Sequence, residues 1–170
     1  TSVAEIESLK DRSVIIASFG KLLHATGWKI GYSLAPQNIT TEIRKVHQFN
    51  TFCVNHALQL AIAEYLQTPN VYLGLASFFL PKRDYVYQEA VKLGLNPIQS
   101  EGTYFLIIQP ENEQGLNDFE LAKQFIMKYK VAMIPVNAFY SDSRNTGLLR
   151  ICFAKKEATL QAAMAQLTVT

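Results

Sequence analysis

Charge is scarce in this sequence. Only 18% of the 170 residues are Asp, Glu, Lys or Arg, against roughly 25% in ordinary soluble domains, whereas 49% are hydrophobic and 11% aromatic. That ratio excludes disordered, collagen-like and low-complexity chains. An excess of one sign is also missing: 16 Lys and Arg face 14 Asp and Glu, a net charge of +2. With the cations scattered, no basic stripe can follow a phosphate backbone, so nucleic acid is not an expected partner. Cysteine is rare, and Cys53 and Cys152 stand far apart with no signal-like start before them. A secreted disulfide framework is therefore excluded, and reduced thiols in a cytoplasmic setting are expected. No apolar run reaches the ~18 residues of a membrane span; the longest candidate, Leu73 to Leu80, is interrupted at Gly74 and stopped at Pro81. The initiator Met is missing too. A chain beginning at Thr1 is expected to be part of a longer polypeptide.

Enough apolar sequence is present to build a core without metal or disulfide staples. Ser13 to Ala17 is a short, continuous apolar run, which predicts a strand buried on both faces. Ile30 to Ala35 predicts a second strand, stopped by Pro36. The link between them is too short for a crossover helix, so the pair is antiparallel or not adjacent. Asn38 is the expected N-cap of a helix carrying Ile39, Ile43 and Val46; a second helix presents Val54, Leu58, Ala61, Ile62 and Tyr65. A long helical pattern follows from Tyr72 to Leu93, with Gly94 as its C-cap and Pro81 as a kink or break. Shorter elements come after it: a strand over Tyr104 to Ile108, a helix opened by Asn117 with Glu120 three residues on, the segment Val131 to Val136, a polar loop over Ser141 to Gly147, a strand over Leu148 to Ala154, and a last helix from Glu157. There are no internal repeats.

Two segments could carry chemistry. Ser18-Phe19-Gly20-Lys21 places a hydroxyl and an amine on a tight turn at a strand end, where ligands of α/β sheets bind. Thr26 to Tyr32 adds a second amine, Lys29, between Gly27 and Gly31. A P-loop is excluded, because the glycine and the Ser or Thr it requires are replaced by Ile15 and Leu22. Composition alone leaves Lys21 as a solvated lysine at a turn. Arg150 stands in the middle of an apolar strand, an expensive place for a guanidinium unless a carboxylate meets it. That carboxylate could belong to a buried salt bridge or to a substrate. His47, Cys53 and His56 lack the further ligands and paired motifs of a metal site, so no metal is expected. His24 is expected to make local hydrogen bonds, and Trp28 to pack the turn.

Ser18-Phe19-Gly20-Lys21 with Thr26-Gly27-Trp28-Lys29-Ile30-Gly31-Tyr32 resembles the pyridoxal-phosphate attachment region of fold-type I aminotransferases, class I/II. The likeness continues in order through Arg44 to Gln59, Lys82-Arg83-Asp84, Gly102-Thr103-Tyr104-Phe105, Ala132 to Val136 with Phe139-Tyr140, and Leu149 to Ala154. The closing pattern through Glu157-Ala158-Thr159-Leu160 is similar to the kynurenine/glutamine/methionine aminotransferase branch. The resemblance implies an α/β fold: the C-terminal part of the large domain, a helix-covered mixed sheet, over residues 1–70, an interdomain helix over 71–94, and a small α+β domain over 95–170. It implies pyridoxal 5'-phosphate as cofactor, Lys21 as the Schiff-base lysine that moves the substrate's α-proton in its neutral form, and Ser18 and Lys29 as phosphate ligands. Lys29 stands where the family often has Arg, which keeps the charge and loses the bidentate fork. Arg150 becomes the clamp on the substrate α-carboxylate. Phe52 matches an aromatic that reaches toward the neighbouring subunit's site, although it reads equally as core.

Family members are more than twice this long, so the chain is expected to be their C-terminal part. The segments before the attachment lysine, which supply the aspartate on the pyridine nitrogen and the aromatic stacked on the ring, would lie outside it. The implied activity is transfer of an amino group from an amino acid of methionine, glutamine, aromatic or kynurenine type to a 2-oxo acid, by a homodimer. A carbon–sulfur β-lyase on the same scaffold and a non-catalytic fragment dimerising through Arg44 to Leu66 remain alternatives. The 170 residues alone are expected to be inactive.

Overall fold

The structure is a computed structural model that describes residues 2–142 and 144–168. The chain divides into two compact units, Thr1–Leu75 and Ala76–Thr170.

In the first unit two short 3₁₀ segments, Val3–Glu5 and Glu7–Arg12, precede strand β1, Ile15–Ser18. One helical turn, α1 (Phe19–Leu22), follows directly, and a 3₁₀ turn over Thr26–Trp28 returns the chain into strand β2, Gly31–Leu34. The two strands pair antiparallel from Ile15 opposite Leu34 to Ser18 opposite Gly31, as the short connection requires. Of the expected mixed sheet, this unit contributes that one antiparallel pair. Burial on both faces is not what it shows: Ile16 is 81% exposed and every residue of β2 is exposed. A continuous apolar run marks a strand that other elements cover, and among the described residues none covers this side of Ile16.

Helix α2 spans Gln37–Asn50 and α3 His56–Tyr65. Pro36, not Asn38, is the N-cap of α2. Its carbonyl accepts the first helical bond, from the Thr40 amide at 2.8 Å, while its fixed φ holds the chain extended just before the turn begins. Asn38 then falls inside the first turn. The Ile39, Ile43 and Val46 stripe is real as a period, but no residue of α2 is buried. Asn55 caps α3 by accepting the Leu58 amide at 3.1 Å. The small core of this unit is Leu23, Ile30 and Ile62, backed by Phe19, Leu22, Val54, Leu58, Leu66 and Tyr72.

The long helical pattern is broken at Gly74, between a single turn, α4 (Asn70–Leu73), and α5 (Leu75–Lys92). Pro81 lies inside α5 without ending it; the helix gives up one backbone donor there and continues. Gly94 ends it as the sequence indicates. With φ +67° it closes a Schellman motif, its own amide bonding the Val91 carbonyl at 3.1 Å and the Leu95 amide that of Ala90 at 2.9 Å.

The second unit is built on a sheet of β3 (Pro97–Ile98), β4 (Phe105–Ile108), β5 (Ile134–Pro135) and β6 (Leu149–Cys152), in the order β3-β4-β6-β5 with every neighbour antiparallel. Helices α6 (Asp118–Tyr129) and α7 (Glu157–Gln166) complete it. Asn117 caps α6, accepting the Glu120 amide at 3.0 Å. The strand period of two sends Leu106, Ile108, Leu149 and Ile151 into one core with Val86, Ala90, Leu121, Phe125, Phe153, Leu160 and Met164. The opposite face of β4 and β6 then carries Phe105, Ile107, Arg150 and Cys152. Among the described residues no helix is long and apolar enough to cross a membrane.

Candidate active site

The first cluster is the end of the β1–β2 pair. Ser18 is both the last residue of β1 and the N-cap of α1, its Oγ accepting the Gly20 amide at 3.1 Å. That leaves the hydroxyl proton of Ser18 available to an anionic oxygen. Lys21 follows within α1, with its side chain exposed. Lys29 closes the 3₁₀ turn in the left-handed region, φ 57°. The Phe19 amide donates to the Ile30 carbonyl at 3.1 Å, and Ser18 sits opposite Gly31. Ser18, Lys21 and Lys29 are thus gathered at one strand end.

Two contacts keep this end closed. The Thr26 hydroxyl donates to the Gly20 carbonyl at 3.2 Å, tying the returning turn to α1. A Cβ on Gly31 would stand 2.4 Å from the Ala17 carbonyl oxygen, so only glycine lets the strands approach here. Phe19 and Tyr32 pack ring to ring at 4.9 Å beside it. Trp28 lies in the same turn and is partly exposed. Two primary amines and a hydroxyl on two adjoining turns suit a phosphate-bearing aldehyde: one amine can condense with the carbonyl while the other amine and the hydroxyl hold the phosphate.

The second cluster, in the other unit, is centred on Arg150. It lies half-buried on the open face of β6, opposite both Ile107 and Ile134. Its guanidinium carbon is 4.6 Å from the ring centre of Phe105 and 5.1 Å from that of Phe139. Phe105 is the diagonal neighbour across the β4–β6 pair, within reach of a long side chain, and Phe139 ends the 3₁₀ turn Val136–Phe139. Among the described residues no Asp or Glu forms an ion pair with Arg150. The buried salt bridge that sequence left open is therefore not formed, and aromatic stacking supports the cation instead. The cation lies over both rings, and among the described residues no carboxylate takes its N–H donors. That leaves the edge, the fork of N–H donors that fits a carboxylate.

Asp118, at the start of α6, is wholly buried, and sequence reasoning missed it. Its Oδ1 accepts the amides of Thr146 at 2.9 Å and Gly147 at 2.7 Å; its Oδ2 accepts the Asn137 amide at 2.9 Å and the Thr146 hydroxyl. Burial pushes the carboxyl pKa up, but the donations from the Thr146 hydroxyl and the three amides outweigh it and hold the group below its ordinary 3.8. The only sequence sign was a second acidic residue in the first turn of a helix already capped by Asn117.

Lys82, of the Lys82-Arg83-Asp84 segment, is the buried cation of α5. Only 8% exposed, it donates to the Lys155 carbonyl at 3.0 Å and lies 5.1 Å from the Phe78 ring centre. Its signal was position, since Lys82, Val86 and Ala90 are spaced i, i+4, i+8 on the buried stripe of α5. Phe52 lies in the α2–α3 link, 80% exposed, with φ 65°. Its reading as plain core does not apply to this chain, and an aromatic in the left-handed region is a strained position. Among the described residues no three His, Cys, Asp or Glu side chains gather as metal ligands, and Cys53 and Cys152 are free thiols.

Residues 2–167 match the family model for aminotransferase class I and II. The methionine aminotransferase of Escherichia coli (strain K12) is 43% identical over 167 residues, which are 98% of this chain and 43% of that protein. Kynurenine–oxoglutarate transaminase 1 of Mus musculus is 32% identical over 95% of this chain and 43% of its own length. Among solved structures, YbdL from Escherichia coli, identified as having a methionine aminotransferase function, superposes with a TM-score of 0.91 at 43% identity, over 98% of this chain and 44% of that one. N-succinyldiaminopimelate aminotransferase from Mycobacterium tuberculosis gives a TM-score of 0.83 at 29% identity, over 98% and 44%. The chain thus has the α/β fold of these proteins and spans less than half the length of each.

Proposed function

Because this chain belongs to the class I and II aminotransferases, we propose that the whole protein transfers an amino group from an amino acid to a 2-oxo acid using pyridoxal 5'-phosphate. The donor class is methionine first, with glutamine, aromatic amino acids and kynurenine behind it, since a methionine aminotransferase is 43% identical to the chain and a kynurenine transaminase 32%. Residues 1–70 would complete the larger, cofactor-binding domain, 71–94 the interdomain helix and 95–170 the small domain. The working form is a cytoplasmic homodimer.

The observation that carries this reading is the gathering of Ser18, Lys21 and Lys29 at one strand end, closed by Gly31. Bound pyridoxal phosphate supplies an aldehyde that condenses with amines and a ring that accommodates the electron pair left at the substrate α-carbon. Ser18 donates its hydroxyl proton, and Lys29 its charge, to phosphate oxygens. Lys21 Nζ would hold the cofactor between turnovers and, as a neutral amine, would take the proton from the substrate α-carbon and pass it to the former aldehyde carbon, the shift by which the amino group leaves the substrate. Arg150 receives the substrate α-carboxylate on its fork of N–H donors. Phe52 is assigned to the neighbouring subunit's substrate pocket, a role that gives its strained, exposed backbone a purpose.

The test uses the full-length protein. Borohydride reduction of the cofactor-loaded enzyme should fix pyridoxyl label on Lys21 alone, read by peptide mass spectrometry. Incubation with methionine and a 2-oxo acid should yield the new amino acid. Label scattered over exposed lysines, or conversion of a cysteine S-conjugate to a thiol, pyruvate and ammonia with no new amino acid formed from the 2-oxo acid, as a carbon–sulfur β-lyase would give, overturns the reading.

A further inference from the structure

Asp118 does more than close a helix start. Its four donors come from both stems of one excursion of the chain. Asn137 belongs to the turn that ends in Phe139, and Thr146 and Gly147 immediately precede β6, which carries Arg150. Between the stems the Val136 amide reaches the Leu148 carbonyl at 3.1 Å, and the Thr146 hydroxyl, while donating to Asp118, accepts the Leu148 amide at 3.3 Å. Beyond the β5–β6 pairing and that backbone bond, one buried carboxylate therefore ties the turn that presents Phe139 to the segment leading into the strand that presents Arg150.

We propose that Asp118 is a positioning residue for carboxylate recognition, holding Phe139 over Arg150 so that the guanidinium edge stays aimed at a substrate carboxylate. This rests on the assignment of Arg150 as the carboxylate receptor. Stiffness decides how well the cation is aimed. Phe139 itself is exposed and Arg150 is half-buried, so neither is locked by core packing. A stacked guanidinium is only as well oriented as its rings, and of the two rings Phe105 is fixed by the sheet. Phe139 is fixed by its turn, and the turn by Asp118. Releasing that turn frees the cation to sample rotamers in which its fork no longer faces one carboxylate, and binding then falls with the fraction in the competent arrangement.

The proposal predicts a loss confined to carboxylate-bearing ligands. In the full-length, cofactor-loaded protein, calorimetry would compare 4-(methylthio)butanoate with its amide, 4-(methylthio)butanamide, for wild type, Asp118→Asn, Thr146→Val and Thr146→Ser. Wild type should prefer the carboxylate. Asp118→Asn should weaken carboxylate binding about 10-fold and amide binding less than about twofold. Thr146→Val should weaken the carboxylate about threefold, and Thr146→Ser, which keeps the hydroxyl, should restore it. With methionine as substrate the loss should appear in KM more than in kcat. Equal weakening of carboxylate and amide, or unchanged preference in a folded Asp118→Asn, overturns the proposal. Should Asp118→Asn fail to fold, the contrast between Thr146→Val and Thr146→Ser decides it. A wild type that binds acid and amide alike overturns the Arg150 assignment instead.

Discussion

Arg150 and Phe105 meet across the β4–β6 pair, guanidinium carbon to ring centre 4.6 Å, on the face of the sheet turned away from the core. Strand alternation causes the meeting. Leu149 and Ile151 face the core, so Arg150 must face out, and the same alternation in β4 turns Phe105 to meet it. Such a contact contributes about 0.5–1 kcal/mol at a partly exposed site. That is enough to orient a cation.

Arg150→Lys in the full-length enzyme keeps the charge and loses both the planar fork and the stacking. The Michaelis constant for the amino acid should rise about 10- to 100-fold, with a smaller fall in kcat. Steady-state kinetics with methionine checks this, and an unchanged Michaelis constant removes Arg150 from carboxylate binding.

Lys21→Ala should abolish the borohydride-stable label and lower turnover by at least about 10²- to 10⁴-fold, the range for a missing general base. Because Lys21 is exposed on a single helical turn, the far-ultraviolet circular dichroism should not change. Retained turnover would point to another lysine.

Gly31→Ala brings a Cβ to 2.4 Å from the Ala17 carbonyl oxygen, which is backbone and cannot swing aside. The fold should lose about 1–3 kcal/mol, as overpacked sites do, and cofactor retention should weaken with it. Gly27→Ala is the control, since its Cβ would meet nothing within 4 Å. Thermal melts of the two variants should differ clearly; equal melts refute the close approach.

The Asp118 carboxyl has a pKa below 3.8 in the fold. Its contribution to stability is therefore complete above the unfolded value, near pH 4, and is lost as pH falls through the lower folded value. The stability gap between wild type and Asp118→Asn should be constant from about pH 5 to 7 and shrink progressively below about pH 4. Denaturant titrations across pH 2–6 provide the check, and a gap that widens on acidification contradicts the hydrogen-bond assignment.

Some of this was written locally. The Ser18 to Lys21 turn, the antiparallel return to Gly31, the Asn117 cap and the Gly94 stop each depend on a few neighbouring residues. Short-range sterics and hydrogen bonding decide such features, so they could be read along the chain. The apolar stripe of α2 and the run at Ile15–Ile16 were also legible as patterns. What faces them was not, because a hydrophobic period records that a partner exists without supplying it.

The rest belongs to tertiary structure. Asp118 looks like one more acid in a first helical turn until Asn137, Thr146 and Gly147, 19 to 29 residues away, bring their donors to it. Phe105 and Phe139 read as ordinary aromatics until strand register places one, and the Asp118-tied turn the other, against Arg150. Sequence determined which groups could do chemistry, since amines, hydroxyls and guanidinium carry it wherever they stand. Only the fold decided which were brought together, because a contact across strands depends on register and turn geometry set by many weak, distant interactions at once.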